Sequence, residues 1–152
     1  MQLRVRKIKK DDLMIIFEWA NDPIVRSQSF NSNLISIEEH SKWFKTKLLD
    51  KNTYFYLIFL DSKPIGQTRF DVVDEIATIN YSISSEFRGK GIGKDMLRVA
   101  IKKFNKECKS HQFIHAMVKS ENIASKKIFT NLGFSLIEKY NDSRLLYIID
   151  KQ

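Results

Sequence analysis

The stretch Arg88-Gly89-Lys90-Gly91-Ile92-Gly93 holds three of the chain's five glycines and separates a run of strand character from a run of helical periodicity. Glycine admits positive φ and brings no side chain, so backbone N–H groups in such a turn converge on one point, where the following helix adds its partial positive charge. The chemistry this serves is anion binding at a strand-to-helix turn. A chain built around it alternates strands and helices, which points to the α/β class. Two familiar phosphate loops do not fit. The Walker pattern needs Lys then Ser/Thr after its last glycine, yet Lys94 precedes Asp95, and the dinucleotide fingerprint needs a glycine where Met96 stands. A glycine-bearing turn without a ligand is the plain alternative.

Around this turn the apolar periodicity lays out the other elements. Leu3, Val5 and Ile8 lie in a short basic β-like start, and Leu13, Ile16, Phe17 and Ala20 share one face of a helix that Asn21-Asp22-Pro23 ends. Ser36 followed by Glu39 is a capping box, opening a second helix that runs to about Leu49. Strands over 54–60, 65–72 and 75–84 form an antiparallel meander. A third helix follows Gly93, then a strand over 113–118, a fourth helix over 122–132 stopped by Gly133, and a closing hairpin of 134–140 and 144–149. With no repeat, low-complexity tract or linker, a single domain over 1–152 is expected.

Composition narrows the function classes. The longest apolar run, Tyr54 to Leu60, falls far short of the roughly 18 residues a membrane-spanning helix needs. Met1 to Lys10 alternates cationic and apolar side chains and lacks a signal-peptide core, so a cytoplasmic protein without a membrane partner is expected. Cys108 is the only cysteine, which excludes an internal disulfide and leaves a thiolate metal site without partners; no metal is expected. The net charge is +8, and eight cations face two acids between Arg88 and Lys109. That excess suits an anionic partner, although beyond Arg98 a solvated helix face explains the lysines equally well.

Arg88-Gly89-Lys90-Gly91-Ile92-Gly93 resembles the coenzyme A pyrophosphate loop of the GCN5-related N-acetyltransferase (GNAT) superfamily, and Asn122-Ile123-Ala124-Ser125, Phe129 and Gly133-Phe134 resemble a second signature of that family. The element order is similar from end to end. The resemblance implies a mixed, mostly antiparallel sheet of about seven strands, splayed between the fourth and fifth and flanked by about four helices. It also implies acetyl-CoA as acyl donor. The backbone of Tyr81, Ser82 and Ile83 would pair with the pantetheine arm, Arg88 through Lys94 would hold the pyrophosphate, and Asn122, Ser125 and Phe129 would line the channel. Asn122 is equally natural as a helix N-cap. Lys126 and Lys127 are candidates for the nucleotide 3′-phosphate or for a solvated face.

Acetyl transfer to an amine requires the amine to lose a proton and the departing thiolate to be stabilised. Many relatives carry a tyrosine where this chain has Phe129, so Tyr81 becomes the candidate substitute, with a packed strand aromatic as the alternative. For the base, Glu75 shares a strand face with Ala77, Ile79 and Tyr81 and would work through water if that face meets the cleft; otherwise it is a surface turn acid. His115 titrates in a suitable range but also fits a core role. The acceptor side is expected from Trp19, Asn21, Asp22, Arg26, His40 and Trp43, with Arg69 and Asp71 on the meander. The run from Trp19 to Arg26, with the segment from Ile37 to Phe44, resembles enzymes that acetylate a nucleotide-linked amino sugar in surface polysaccharide biosynthesis. A ribosomal-protein or peptide N-terminus is the rival acceptor. A non-catalytic module binding acetyl-CoA or nucleic acid is the reading from another class, and a homodimer is left open.

Overall fold

A computed structural model describes residues 2–152 of the chain. Strands β1 (Leu3–Lys7), β2 (Thr53–Leu60), β3 (Lys63–Val73), β4 (Ile76–Ile83), β5 (Phe113–Lys119), β6 (Ser135–Asn141) and β7 (Arg144–Asp150) form one sheet in the order β1-β2-β3-β4-β5-β7-β6. Every pairing is antiparallel except β4 with β5. The meander follows from local patterning. The aromatic and β-branched run Thr53–Leu60 is covered on both faces, and positive φ at Asp61 and Asp74 allows the two tight turns that bracket β3.

The helices are α1 (Leu13–Ala20), α2 (Pro23–Gln28), α3 (Ile37–Leu49), α4 (Gly93–Glu107) and α5 (Ile123–Asn131). They divide the core into two layers. On one face Tyr56, Ile58, Phe70, Ala77 and Ile79 pack against Met96, Ala100, Phe104 and Phe129 of α4 and α5. On the other, Phe55, Leu57 and Phe59 meet Ile16 of α1 and Phe44 of α3. Alternation along each strand assigns side chains to the two faces.

Among the described residues five α-helices flank the sheet, one more than the sequence expectation of about four. Asn21-Asp22-Pro23 does end α1, but the same residues start α2: Asp22 accepts hydrogen bonds from the N–H groups of Ile24 and Val25, and Pro23 occupies the first turn, where its missing donor costs nothing. Only six residues long, α2 leaves too little periodicity to read.

Candidate active site

The parallel pairing of β4 with β5 spans only three residue pairs and ends at Thr78 opposite His115. Beyond it the strands diverge, and a cleft of about 970 Å³ opens over the unpaired edge of β4, residues 79–83. Strand edges expose N–H and C=O groups that have to find partners, so this edge is a template for an extended ligand.

One end of the cleft is made by the glycine turn. After Ser84 the chain makes a single 3-10 turn (Ser85–Phe87), and Gly89 and Gly91 adopt φ of +74° and +73°, with open space where a Cβ would stand. Gly93 differs: a Cβ there would lie 2.7 Å from Ile128 Cδ1 and 3.0 Å from Ile83 Cδ1, so this glycine lets the first turn of α4 press against α5 and β4. Arg88 is ion-paired with Asp22 at 2.8 Å, while its Nε is buried without a partner. The Arg88 guanidinium holds the Asp22 carboxyl below its ordinary pKa. Arg88, Gly89, Gly91, Ile92, Gly93 and Lys94 all line the cleft; the Lys90 ammonium instead lies 5.6 Å from the centroid of the Phe87 ring.

The middle of the cleft carries Tyr81, Ser82 and Ile83 of β4 and Asn122, Ser125 and Phe129 of α5. The Tyr81 hydroxyl and Ser125 Oγ lie 2.5 Å apart, and burial pushes the Tyr81 phenol up from its ordinary pKa. Asn122 caps α5 by accepting the Ser125 N–H at 3.1 Å. Phe129 is buried edge-to-face against Tyr81 and Phe134. Lys127 lines the cleft, whereas the Lys126 ammonium donates to Ser120 O.

Two catalytic candidates lie outside this arrangement. Glu75 sits exposed in the turn before β4 and does not line the cleft; between it and Tyr81 on that strand face stand Ala77 and Ile79, both buried in the core with α4. His115 stands opposite Thr78, where β4 and β5 are still paired, and does not line the cleft. Burial lowers its pKa.

On the acceptor side Arg26, His40 and Arg69 line the cleft and Trp19, Asn21 and Asp71 do not. Trp19 packs on the α1–α3 core. Asn21 clamps Ile35 through both its backbone N–H and C=O, and Asp71 binds Lys47, Thr53 and Arg69. Arg26 is committed to the loop as well, donating to the carbonyls of Ala20, Asn31 and Asn33 and to Ser29 Oγ. His40 is buried with Nε2 donating to Leu13 O at 3.0 Å, and burial keeps its pKa below the ordinary value. The Arg69 guanidinium lies 4.9 Å from the centroid of the Trp43 ring.

Several wall residues went unread in the sequence: Gln67, Asn80, Glu39, Lys119 and the apolar side of α2. For Gln67 and Asn80 the signal was available, because both alternate onto the strand face that fronts the splay.

A seven-stranded sheet that splays at its one parallel pair among the described residues, with a glycine turn feeding a helix at the opening, is an α/β fold shared with solved N-acetyltransferases. Residues 2–135 match the profile of the acetyltransferase (GNAT) domain, and the chain belongs to that family. It carries an acetyltransferase domain and is an acyltransferase. Among its relatives, an uncharacterized N-acetyltransferase derived from the SPbeta prophage of Bacillus subtilis is 26% identical over 135 residues, covering 87% of this chain and 75% of the relative. An uncharacterized protein of Methanocaldococcus jannaschii is 24% identical over 153 residues; the match covers 96% of this chain but only 31% of that protein's length. In structure, the chain is similar to spermidine N-acetyltransferase from Vibrio cholerae in complex with CoA and spermine, with a TM-score of 0.86, 18% identity and coverage of 99% and 96% of the two chains.

Proposed function

We propose that this protein transfers an acetyl group from acetyl-CoA to the primary amine of an anionic small molecule, a nucleotide-linked amino sugar being the acceptor of first choice. The observation that carries the anionic acceptor is the charge of the cleft wall. On the acceptor side Arg26 and Arg69 line it, Arg69 shared with Asp71, against Glu39 as the one carboxylate among the described lining residues; Arg88, Lys94 and Lys127 stand on the side that takes the donor, and the Lys119 ammonium donates to Ser27 O. A polyamine would meet cations in that wall and almost no countercharge, whereas a diphosphate is matched. Trp43 and Phe55 add flat apolar surface on which a sugar or base can rest.

The residues at the glycine turn fit the donor. Two positive-φ glycines with nothing standing over them and the unpartnered Arg88 Nε are what a pyrophosphate requires. In this reading Arg88 through Lys94 hold the pyrophosphate, the open edge of Tyr81, Ser82 and Ile83 pairs with the pantetheine arm, and Asn122, Ser125 and Phe129 wall the thioester end. Acetyl-CoA supplies the activated acyl group. Tyr81, kept protonated by burial and held by Ser125, offers its hydroxyl as hydrogen-bond donor to the departing sulfur.

Thermal denaturation with acetyl-CoA, followed by thiol-release assays, tests the reading. At about 100 times Kd the donor should add about 2.7 kcal/mol, which for a domain of this size raises Tm by roughly 5–10 °C. Thiol release should be faster with a uridine-diphosphate amino sugar than with spermidine. Faster release with spermidine, or release confined to peptide N-termini, would remove the anionic acceptor.

A further inference from the structure

Five buried side-chain polar atoms of the described residues lack a hydrogen-bond partner, and three of them belong to residues on the cleft: Gln28 Oε1, Gln67 Oε1 and Arg88 Nε. Arg88 Nε is accounted for by an anion at the glycine turn. Gln67 raises a separate question. Its side chain is 7% exposed, and its Nε2 donates to Ser82 Oγ at 3.1 Å and reaches Asn80 Oδ1 at 3.4 Å. Those two bonds point the amide nitrogen at β4 and leave Oε1 as a buried acceptor in the cleft wall. A buried acceptor left without a donor costs roughly 1–3 kcal/mol, so its retention needs an explanation.

Placement supplies one. Gln67 stands across from Ser82, and Arg69 across from Asn80, on the sheet face that fronts α1 and α3, beside the β4 edge where the strands part. A donor running along that edge from the α4 and α5 side meets an acceptor approaching from the α1 and α3 side there. Two buried acceptors on the acceptor's side lack a partner, Gln28 Oε1 at the end of α2 and Gln67 Oε1, and of the two only Gln67 stands on a strand paired with β4, beside the edge where the sheet parts.

We infer that Gln67 Oε1 accepts an N–H of the acceptor amine and that the amide, in place of a carboxylate, selects amines that are already neutral. The inference rests on the acetyltransferase reading above and deepens it. An amide oxygen has no charge with which to hold an ammonium and cannot take up its proton, so Gln67 orients a lone pair without deprotonating the nitrogen. At pH 7.5 roughly a third of an amine with the basicity of a peptide α-amine is neutral, against roughly one in a thousand of a lysine-like amine. Selection for weakly basic amines therefore follows from the residue type at position 67 together with the single carboxylate on the wall.

The test uses two matched pairs of probes in steady-state thiol-release assays: a uridine-diphosphate amino sugar against a uridine-diphosphate aminohexyl ester, and a tripeptide α-amine against the ε-amine of Nα-acetyl-lysine amide. Wild-type protein should favour the weakly basic member of whichever pair it accepts. Gln67→Met should lower kcat/KM for that member about 10- to 100-fold, leaving Tm and the KM for acetyl-CoA within twofold. Gln67→Glu keeps an acceptor there, and its second oxygen can accept a hydrogen bond donated by the Ser82 hydroxyl. It should retain turnover and raise the preference for the strongly basic member at least about fivefold, with the acid limb of the kcat/KM profile moved to lower pH. Unchanged kcat/KM in Gln67→Met, equal collapse in both variants, or wild-type preference for the strongly basic amine overturns the inference. So does the absence of turnover with any probe in a protein that acetyl-CoA stabilises. Turnover of the peptide pair alone shifts the acceptor class and leaves the role of Gln67 standing. Failure of acetyl-CoA to stabilise the protein brings down the donor reading, and this inference with it.

Discussion

The two ends of the cleft are built by different means. The end proposed for the donor is one continuous stretch, residues 79–94, whose binding capacity lies in backbone conformation: an open strand edge, two positive-φ glycines and the start of α4. The acceptor end is assembled from α1, α2, the loop after it, α3 and alternate positions of β3 and β4, and its capacity lies in side chains. Backbone sites tolerate little change because every side chain adds bulk or strain; side-chain sites can change specificity one residue at a time. The ends meet at the Asp22–Arg88 ion pair, which ties the N-terminus of α2 to the glycine turn.

The sharpest way to break this comparison is Gly91→Val. A β-branched residue at φ +73° is strained by roughly 1–2 kcal/mol, and its side chain fills open space over the turn. Acetyl-CoA affinity measured by calorimetry should fall more than about 100-fold, while circular dichroism and Tm report a folded domain. Affinity within threefold of wild type would show that the turn is not the donor site.

A middle-sized effect separates the two ends. Arg88→Gln should weaken acetyl-CoA about tenfold, whereas Asp22→Asn, which retains a capping oxygen, should leave that affinity within about threefold and raise the acceptor KM by loosening α2. Equal changes in both constants from Asp22→Asn would mean that donor and acceptor ends act as one unit.

The smallest effect lies away from the cleft. His111 is fully buried below α4, bonded through Nε2 to Asn105 Oδ1 at 2.7 Å, and burial pulls its pKa down to about 4. The unfolded chain binds that proton near pH 6.5 and the folded chain does not until about pH 4. The unfolded state therefore holds more protons throughout this window, and stability falls as pH falls through it. Tm measured across the window should decline on acidification, and His111→Gln should flatten the decline without altering acetyl-CoA affinity at pH 7.5.

How much was legible beforehand follows the same division. Among the described residues, the seven strands, four of the five helices and the glycine turn could be read because each is a local pattern: period-two alternation, a capping box at Ser36 and Glu39, and three glycines in five residues. Trp19 and Asn21 were expected at the acceptor yet serve the core and the loop, because nothing in a residue's type says whether its partner will be substrate or protein. Glu75 was expected to act along its strand if that face met the cleft and to be a surface turn acid otherwise; it stands exposed in the turn, and Ala77 and Ile79 of that face are buried against α4, an element eighteen residues further on.

By itself the amino-acid sequence determined the order of elements, the glycine turn between β4 and α4 and the charge excess that follows it, since all three depend on neighbours within a few residues. Only the tertiary structure decided where β4 and β5 part, which cations are already spent on Asp22, Asp71 and backbone carbonyls, and that Gln67 keeps one buried oxygen free. Those properties depend on which distant groups arrive at hydrogen-bonding distance. Such encounters are set by the packing of helices on both faces of the sheet, which no local pattern encodes.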